Sequence, residues 1–306
     1  MKQRTIYLFA LTAILLWSTA GTAFKLALRG MDLIQLLFIS STVAWIFLLF
    51  VLIFRKQTDG LFNNTPKKLL HSAIGGFLNP FLYYMILLNA YSILPAQIAG
   101  PINYTWPVML VLLSIPFLHQ KIRLIEFVAI LISFLGVVII SAQGRNLFTT
   151  PVNEPVGVIL ALTSSVIWAY FWIFNVKDSR PEIIKITLNF FFGSIFSGIA
   201  LLISSKPAVW NQSVLPAVYV GLTEMAIGFV CWLTALENTK NNVRISNLVF
   251  ISPFLALFFI HLILNEKIYW TTPAGLVFIV GGILFQQLIP HNQKKINESG
   301  KNNSGH

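Results

Sequence analysis

Long apolar runs separated by short polar gaps dominate the pattern of this 306-residue chain. The runs fall at about 5–28, 33–54, 69–91, 96–118, 124–142, 156–176, 183–204, 214–236, 244–264 and 270–289. Most approach the roughly 20 apolar residues that a membrane-spanning helix needs. They are continuous and do not alternate, which excludes a transmembrane β-barrel. The pattern predicts an all-α integral membrane protein with ten transmembrane helices.

Composition supports a lipid environment and limits the chemistry. The chain is 56% hydrophobic and 10% charged, whereas a soluble domain carries about 25% charged residues. The single cysteine, Cys231, cannot form an internal disulfide, and no Cys/His metal spacing occurs. We therefore expect no metal and no cofactor. Lys2 and Arg4 before the first apolar run resemble a signal peptide, but the run continues past Ala23, so we expect an uncleaved first span.

The positive charge lies in the gaps between the apolar runs. A net charge of +11 without a basic patch argues against nucleic-acid binding. With the N-terminus in the cytoplasm, 16 Lys and Arg residues fall inside and four fall outside. This asymmetry predicts cytoplasmic N- and C-termini.

One stretch of the chain recurs. Residues 95–122 match residues 241–268 at an offset of 146, which places Pro107 on Pro253. Such a recurrence indicates duplicated halves.

The duplication predicts the domain organisation. We expect a first repeat at 1–150, a second at 151–290 and a disordered cytoplasmic tail at 291–306. Because each half has five helices, the second half enters the membrane from the opposite side, which gives an inverted repeat.

Short motifs in both halves carry a family resemblance. They are Leu16-Trp17-Ser18-Thr19-Ala20 with Phe24-Lys25, the Ala90 region, Pro107 with Gln120-Lys121-Ile122, Pro253 with Asn265-Glu266-Lys267-Ile268, and Gly136 with Gly282. Over about residues 5–289 the chain resembles the drug/metabolite transporter superfamily, specifically its EamA-type permeases. The resemblance implies a central cavity built by helices 1, 3, 4, 6, 8 and 9, with helices 5 and 10 at the periphery.

The resemblance also implies a function. We expect a secondary transporter of the cell inner membrane that exports a small organic metabolite such as an amino acid by alternating access. Its expected partners are the lipid bilayer, the solute and protons, and it is expected to be a monomer or a homodimer. The alternative is a non-transporting intramembrane scaffold or enzyme. No Ser/His, paired-carboxylate or HExxH arrangement in the sequence favours an enzyme.

Glu224 is the most informative candidate residue. It lies mid-span in the eighth run, where a carboxylate costs roughly 2.5–3.5 kcal/mol on insertion scales. Three roles are open for Glu224: it binds a substrate amine, it carries a coupling proton, or it makes a structural hydrogen bond between helices. The 146-residue register places it beside Asn79 of the third run, which is followed by Pro80 and Tyr83.

The first helix offers a second group of candidates. Trp17, Gly21 and Lys25 share one helix face. Lys25 either snorkels to the outer interface or faces the cavity and pairs with Glu224 or with a substrate carboxylate. Trp17 matches Trp168 in the second half at an offset of 151, and these rings line the cavity or pack helices together.

The fourth helix adds polar and proline candidates. Asn103 and Pro107 share a face, with Trp106 beside them. Asn103 either bonds to a neighbouring helix or faces the cavity. Pro107 and Pro253 act as packing kinks, as gating hinges or as substrate-binding residues. Pro80 is predicted to be a hinge as well.

Aromatic side chains complete the predicted site. Aromatic walls suit amphipathic solutes and cations, although they also occur as ordinary membrane packing. The predicted substrate-binding residues are Glu224, Asn79, Tyr83, Asn103, Trp106, Trp17, Lys25, Trp168 and Trp232, and the predicted hinges are Pro107, Pro253 and Pro80.

Overall fold

The structure is a computed structural model that describes residues 1–62, 64–118, 124–144, 154–176, 178–204, 206–239, 245 and 247–287. The chain within these ranges is helical and contains no strand. Three predicted features lie outside them: the tail 291–306, the Gln120-Lys121-Ile122 motif and most of the boundary between the predicted halves.

Ten apolar helices follow the hydropathy pattern in the described ranges. We number them α1 Gln3–Leu28, α2 Leu33–Phe54, α3 Pro66–Ile93, α4 with segments Ala96–Asn103 and Trp106–Leu118, α5 Leu124–Ser141, α6 Pro155–Val176, α7 Glu182–Ile203, α8 Val214–Asn238, α9 Leu248–Leu264 and α10 Thr271–Gln287. A single turn of helix, Asp59–Phe62, precedes α3.

Seven of these helices are long and apolar enough to cross a membrane: α1 to α4 and α6 to α8. The apolar parts of α5, α9 and α10 are shorter. The chain is therefore an all-helical, multi-pass membrane protein. That all ten helices span the membrane, in two inverted repeats, stays a prediction.

Local sequence explains several helix starts. Asp32 precedes α2 and accepts a hydrogen bond of 2.9 Å from the Ile34 amide. Thr65 accepts one of 3.3 Å from the Lys68 amide at the start of α3. Such side chains satisfy amides in the first turn that have no partner within the helix. Pro66 follows Thr65 at the first helical position, where its missing N–H removes no helical hydrogen bond.

Four helices contain irregular segments, in two matched pairs: α3, α4 and α8 are interrupted near mid-span, and α9 begins with a 3₁₀ segment. π-helical segments occur in α3 at Phe77–Leu82 and in α8 at Thr223–Ile227, and the 146-residue register places Phe77 on Thr223. In the same register, Trp106 falls on Ser252. Trp106 begins the second segment of α4, and Ser252 begins the α-helical part of α9 after a 3₁₀ segment at Leu248–Ile251.

Helices α1, α2, α6 and α7 each pack mainly against helices from the other half of the chain. α1 packs against α8 and α9, and α6 packs against α3 and α4. α2 packs against α7 and α8, and α7 packs against α2 and α3. α5 and α10 pack mainly against each other.

Glycines allow the α5–α10 contact. A Cβ added at Gly136 would lie 2.5 Å from the carbonyl oxygen of Gly275, and the reverse substitution meets the same distance. The outer face of α5 exposes Leu131, Leu135 and Val138, at a spacing that forms one helical stripe. An apolar stripe of this kind matches a lipid-facing surface.

Candidate functional site

Glu224 lies in the π-helical segment of α8 with its two carboxylate oxygens in different environments. Oε1 accepts a hydrogen bond of 3.2 Å from the Tyr84 hydroxyl of α3. Oε2 is buried and has no hydrogen-bond partner among the described residues. The Glu224 carbonyl accepts a bond of 3.2 Å from Trp17 Nε1 of α1. Because a buried carboxylate oxygen without a donor is costly, Oε2 is a position where a ligand donor or a proton would be stabilising.

Aromatic rings form a continuous surface beside Glu224, which we call the aromatic wall: Trp17, Phe229, Trp232, Trp168 and Tyr83. The ring centroid of Trp17 lies 5.4 Å from that of Trp232 and 5.9 Å from that of Phe229. Trp168 lies 6.1 Å from Phe229 and 4.7 Å from Tyr83. These spacings are those of interacting aromatic pairs, so α1, α3, α6 and α8 are joined through ring contacts.

A short backbone approach positions Trp17 in this wall. A Cβ built on Gly228 would lie 2.6 Å from Trp17 Nε1. The absence of a side chain at Gly228 therefore admits the indole edge, which reaches the Glu224 carbonyl.

Asn103 connects the wall to a buried polar chain. The Tyr83 hydroxyl donates to Asn103 Oδ1 at 3.1 Å, and Asn103 Nδ2 donates to Ser164 Oγ at 2.8 Å. All three residues are buried. The chain joins α3, α4 and α6 and fixes the Tyr83 ring against Trp168.

Asn79 lies in the π-helical segment of α3 with backbone angles outside the helical region, φ −147° and ψ 120°. Its Oδ1 is buried and has no hydrogen-bond partner among the described residues. Pro80 packs against α7, since a Cβ on Gly193 would lie 2.4 Å from Pro80 Cγ. Asn79 thus offers a second buried acceptor at the interruption that matches the one containing Glu224.

Four tyrosine side chains interact electrostatically with the Glu224 carboxylate. Tyr83, Tyr84, Tyr91 and Tyr104 all lie within electrostatic range of it. The Tyr91 hydroxyl lies over two glycines, because Cβ atoms at Gly21 and Gly100 would approach it to 2.8 and 2.9 Å.

Lys25 lies in a different place. It lines an open pocket of about 350 Å³ together with Gln97, Glu266, Lys267 and Tyr269, among others. The charged groups that act on it are Glu266 and Arg29. The Glu266 carboxylate accepts from the amides of Ala96 and Gln97 at the start of α4, at 3.2 and 3.4 Å. None of the ion pairs among the described residues joins Lys25 to Glu224.

With this geometry established, sequence comparison identifies the family. The model of the EamA-like transporter family matches residues 4–142 and 155–286. This chain belongs to the EamA-like transporter family. The family resemblance expected from the sequence is therefore confirmed.

Several relatives of this EamA family member are named as transporters. It is 28% identical over 305 residues to an uncharacterized transporter of Clostridium kluyveri, covering 96% of each chain. It is 24% identical over 175 residues to the aromatic amino acid exporter YddG of Ancylobacter novellus, covering 56% of this chain and 58% of that one. A solved crystal structure superposes with a TM-score of 0.67 at 20% identity, covering 94% of this chain and 98% of the other, which shows the shared fold.

The EamA fold brings most of the predicted residues together. Trp17, Tyr83, Trp168 and Trp232 are in the aromatic wall, and Asn103 bonds to Tyr83. Trp106 is half-buried where α4 resumes. Lys25 is the predicted residue that the structure places beside other charges, in the pocket with Glu266.

Two of the three predicted hinge prolines of this EamA protein lie at the starts of helical segments, whereas Pro80 lies within the π-helical segment of α3. Pro107 and Pro253 are each the second residue of a helical segment that follows an interruption. At that position a missing N–H costs no helical hydrogen bond. The breaks thus precede the prolines, at Tyr104–Thr105 in α4 and in the 3₁₀ segment of α9.

Two contributors to the site of this EamA protein were not predicted from the sequence. Ser164 ends the Tyr83–Asn103 chain, and Phe229 bridges Trp17 and Trp168. Ser252, which the 146-residue register places on Trp106, has its Oγ 3.1 Å from Ser18 Oγ between α9 and α1. Ser164 was detectable as a polar residue within an apolar run. Phe229 carried no signal in a sequence this rich in phenylalanine.

Proposed function

We propose that this EamA family member is a secondary transporter that exports a small organic metabolite such as an amino acid. It works by alternating access around the site between α1, α3, α6 and α8. The observation that carries the proposal is Glu224, whose Oε1 accepts a hydrogen bond from Tyr84 and whose Oε2 is buried without a hydrogen-bond partner in the described part of the chain. An ionisable residue inside a membrane-spanning helix marks a solute or proton pathway.

Two features support alternating access. The matched interruptions in α3 and α8, and in α4 and α9, are the kind of broken helices that form transporter binding sites. Helices of the set α1–α5 pack against helices of the set α6–α10 in a reciprocal pattern. This pattern supports two inverted five-helix repeats, at 1–150 and 151–290. In this proposal Pro107, Pro253 and Pro80 adjoin the hinges at which the two repeats move.

The proposed orientation follows from charge. Sixteen Lys and Arg residues fall on one side and four on the other, which supports an inner-membrane protein with both termini in the cytoplasm. A monomer or a homodimer suffices, because the site lies within one chain. Protons are the proposed coupling ions, with Glu224 as the carrier.

Flux measurement in proteoliposomes tests this proposal. A thermal-shift screen of amino acids and amines on the detergent-solubilised protein would select solutes, and their labelled forms would then be assayed for flux at several pH values. We expect flux through the wild-type protein and its loss in Glu224→Gln. Glu237→Gln is the matched control, since Glu237 lies exposed on the same helix, and it should retain flux. Unchanged flux and pH dependence in Glu224→Gln would contradict the role of Glu224.

A further inference from the structure

The free oxygen of Glu224 restricts what the site recognises. Oε2 is an acceptor that is buried and has no hydrogen-bond donor among the described residues, so a ligand that brings a donor to it would be stabilised. Among common solute groups, an ammonium supplies both the N–H and the positive charge that a carboxylate pairs with most strongly.

Three nearby donors are already engaged. The Trp17 indole N–H is bonded to the Glu224 carbonyl, the Tyr84 hydroxyl to Oε1, and the Tyr83 hydroxyl to Asn103. Trp172 Nε1, next to Trp168, is buried without a partner among the described residues, but it is a neutral donor. These groups supply no positive charge for an anionic solute.

The aromatic wall also suits a ligand that carries an ammonium group. Its ring faces attract a cation electrostatically and also cover an apolar body. Trp17 and Trp232 lie on the α1–α8 side of Glu224, and Trp168 with Tyr83 extends the surface to α6 and α3.

The nearest cation identified on α1 is displaced from Glu224. Lys25 lies eight residues beyond Trp17, which is about 12 Å along a helix, and the charged groups acting on it are Glu266 and Arg29. Within the described part of the chain, no Lys, Arg or His forms an ion pair with Glu224. The carboxylate of a zwitterionic amino acid bound through its ammonium would therefore meet aromatic rings and tyrosine hydroxyls without a counter-charge.

We infer that the site recognises an aromatic or apolar monoamine through its ammonium group, which pairs with Glu224 Oε2 while the apolar body lies on the aromatic wall. A solute carboxylate is not needed and weakens binding. This inference rests on the proposed function and names the solute class at the same site.

Three related solutes test the inference on the intact wild-type protein in detergent. They are 2-phenylethylamine, L-phenylalanine and 3-phenylpropionate, which carry the ammonium alone, both charges, and the carboxylate alone. Titration calorimetry should give 2-phenylethylamine at least about a tenfold lower Kd than L-phenylalanine, because the carboxylate of L-phenylalanine loses its hydration without gaining a counter-charge, and an unpaired buried charged group costs at least that much. No saturable binding is expected for 3-phenylpropionate. Equal or tighter binding of either carboxylate-bearing solute, or no binding of any of the three, would overturn the inference.

Variants separate recognition from general damage. Glu224→Gln should raise the Kd of 2-phenylethylamine by about tenfold or more, and Glu237→Gln should not change it. A Glu224→Gln protein that folds and binds the amine as the wild type does would overturn the inference. If Glu224→Gln fails to fold, the ranking of the three solutes on the wild-type protein decides.

Flux distinguishes this inference from the transport proposal. Proteoliposomes that move L-phenylalanine faster than 2-phenylethylamine would overturn the inference and support transport. Amine binding in the expected order, with no flux of any solute in the screen, would overturn the transport proposal and support the recognition of the amine.

Discussion

The Tyr84 hydroxyl donates a hydrogen bond of 3.2 Å to Glu224 Oε1, and this bond connects the two π-helical regions of the molecule. Glu224 lies within the segment Thr223–Ile227, and Tyr84 comes two residues after the segment Phe77–Leu82. π-Helical segments inside α-helices occur frequently at functional sites. The bond fixes one carboxylate oxygen and thereby directs the other, Oε2, as the position available to a ligand.

Removal of this bond should weaken the site without unfolding the protein. In Tyr84→Phe, Glu224 loses its one side-chain donor among the described residues. A hydrogen bond to a charged group contributes about 1.5–3 kcal/mol, so solute affinity or flux should fall by about 10- to 100-fold. Tyr219→Phe is the control, because Tyr219 lies on α8 and its hydroxyl bonds to Thr19 at 2.7 Å. Equal effects of the two variants would contradict the assigned role of Tyr84.

The Tyr83–Asn103–Ser164 chain should contribute mainly to stability. Asn103→Ala leaves the buried Tyr83 hydroxyl and Ser164 hydroxyl without this partner. An unsatisfied buried polar group costs about 1–3 kcal/mol, which should appear as a lower midpoint in thermal unfolding of the detergent-solubilised protein. Asn89→Ala, at an exposed position of α3, should change the midpoint little. If Asn89→Ala lowered the unfolding midpoint as much as Asn103→Ala does, the Tyr83–Asn103–Ser164 hydrogen bonds would have no special role in stability.

Apolar patterning predicted the helix positions well because the lipid solvent imposes them. The run at 33–54 became α2, Leu33–Phe54, with Asp32 at its start. The prolines led to predicted kinks or hinges at Pro107, Pro253 and Pro80, but the π-helical segments of α3 and α8 were not predicted, because hydropathy does not report the register of backbone hydrogen bonds. Asn79-Pro80 was the available signal in α3, whereas the segment Thr223–Ile227 contains no proline, and the flanking Gly221 and Gly228 are of a type common in membrane helices.

The partners of the candidate residues were harder to predict than the residues themselves. The 146-residue register placed Glu224 beside Asn79, but its hydrogen bond is to Tyr84, one turn further along α3. A contact between helices 140 residues apart in sequence depends on how both helices rotate, which repeat matching does not specify. Lys25 was weighed as a partner of Glu224, yet Glu266, from the segment after α9, lies beside it.

The Tyr91 side chain should require a glycine at position 21, because it occupies the space that a larger side chain there would need. A Cβ at Gly21 would lie 2.8 Å from the Tyr91 hydroxyl oxygen, and overpacking of this kind costs about 1–3 kcal/mol. We therefore expect Gly21→Ala to lower the unfolding midpoint and Gly21→Ala with Tyr91→Phe to recover part of the loss. Gly281→Ala is the control, since no atom of the described residues lies within 4 Å of a Cβ there. Failure of Tyr91→Phe to recover any stability would show that the clash lies elsewhere.

A buried ion pair in the segment between α6 and α7 should make stability depend on pH. Arg180 donates through Nε to both oxygens of Asp178, at 3.1 and 3.0 Å. Its Nη1 donates to Asn64 Oδ1 at 2.9 Å and its Nη2 to Ser72 Oγ at 2.7 Å. Burial raises the pKa of Asp178, but the hydrogen bonds and charge of Arg180 outweigh this and hold the pKa below its ordinary value of 3.8.

The sign of the effect follows from that direction. A carboxyl whose pKa is lower in the folded state stabilises the protein above its unfolded pKa, and this contribution is lost as the pH falls through the folded pKa. Asp178→Asn leaves Arg180 buried without its counter-charge and should cost about 3–5 kcal/mol near neutral pH. The difference in the free energy of unfolding between Asp178→Asn and the wild type should become smaller below about pH 4. Asp59→Asn, at an exposed position, should match the wild type throughout, and a gap for Asp178→Asn that stays constant into acid would contradict the pairing.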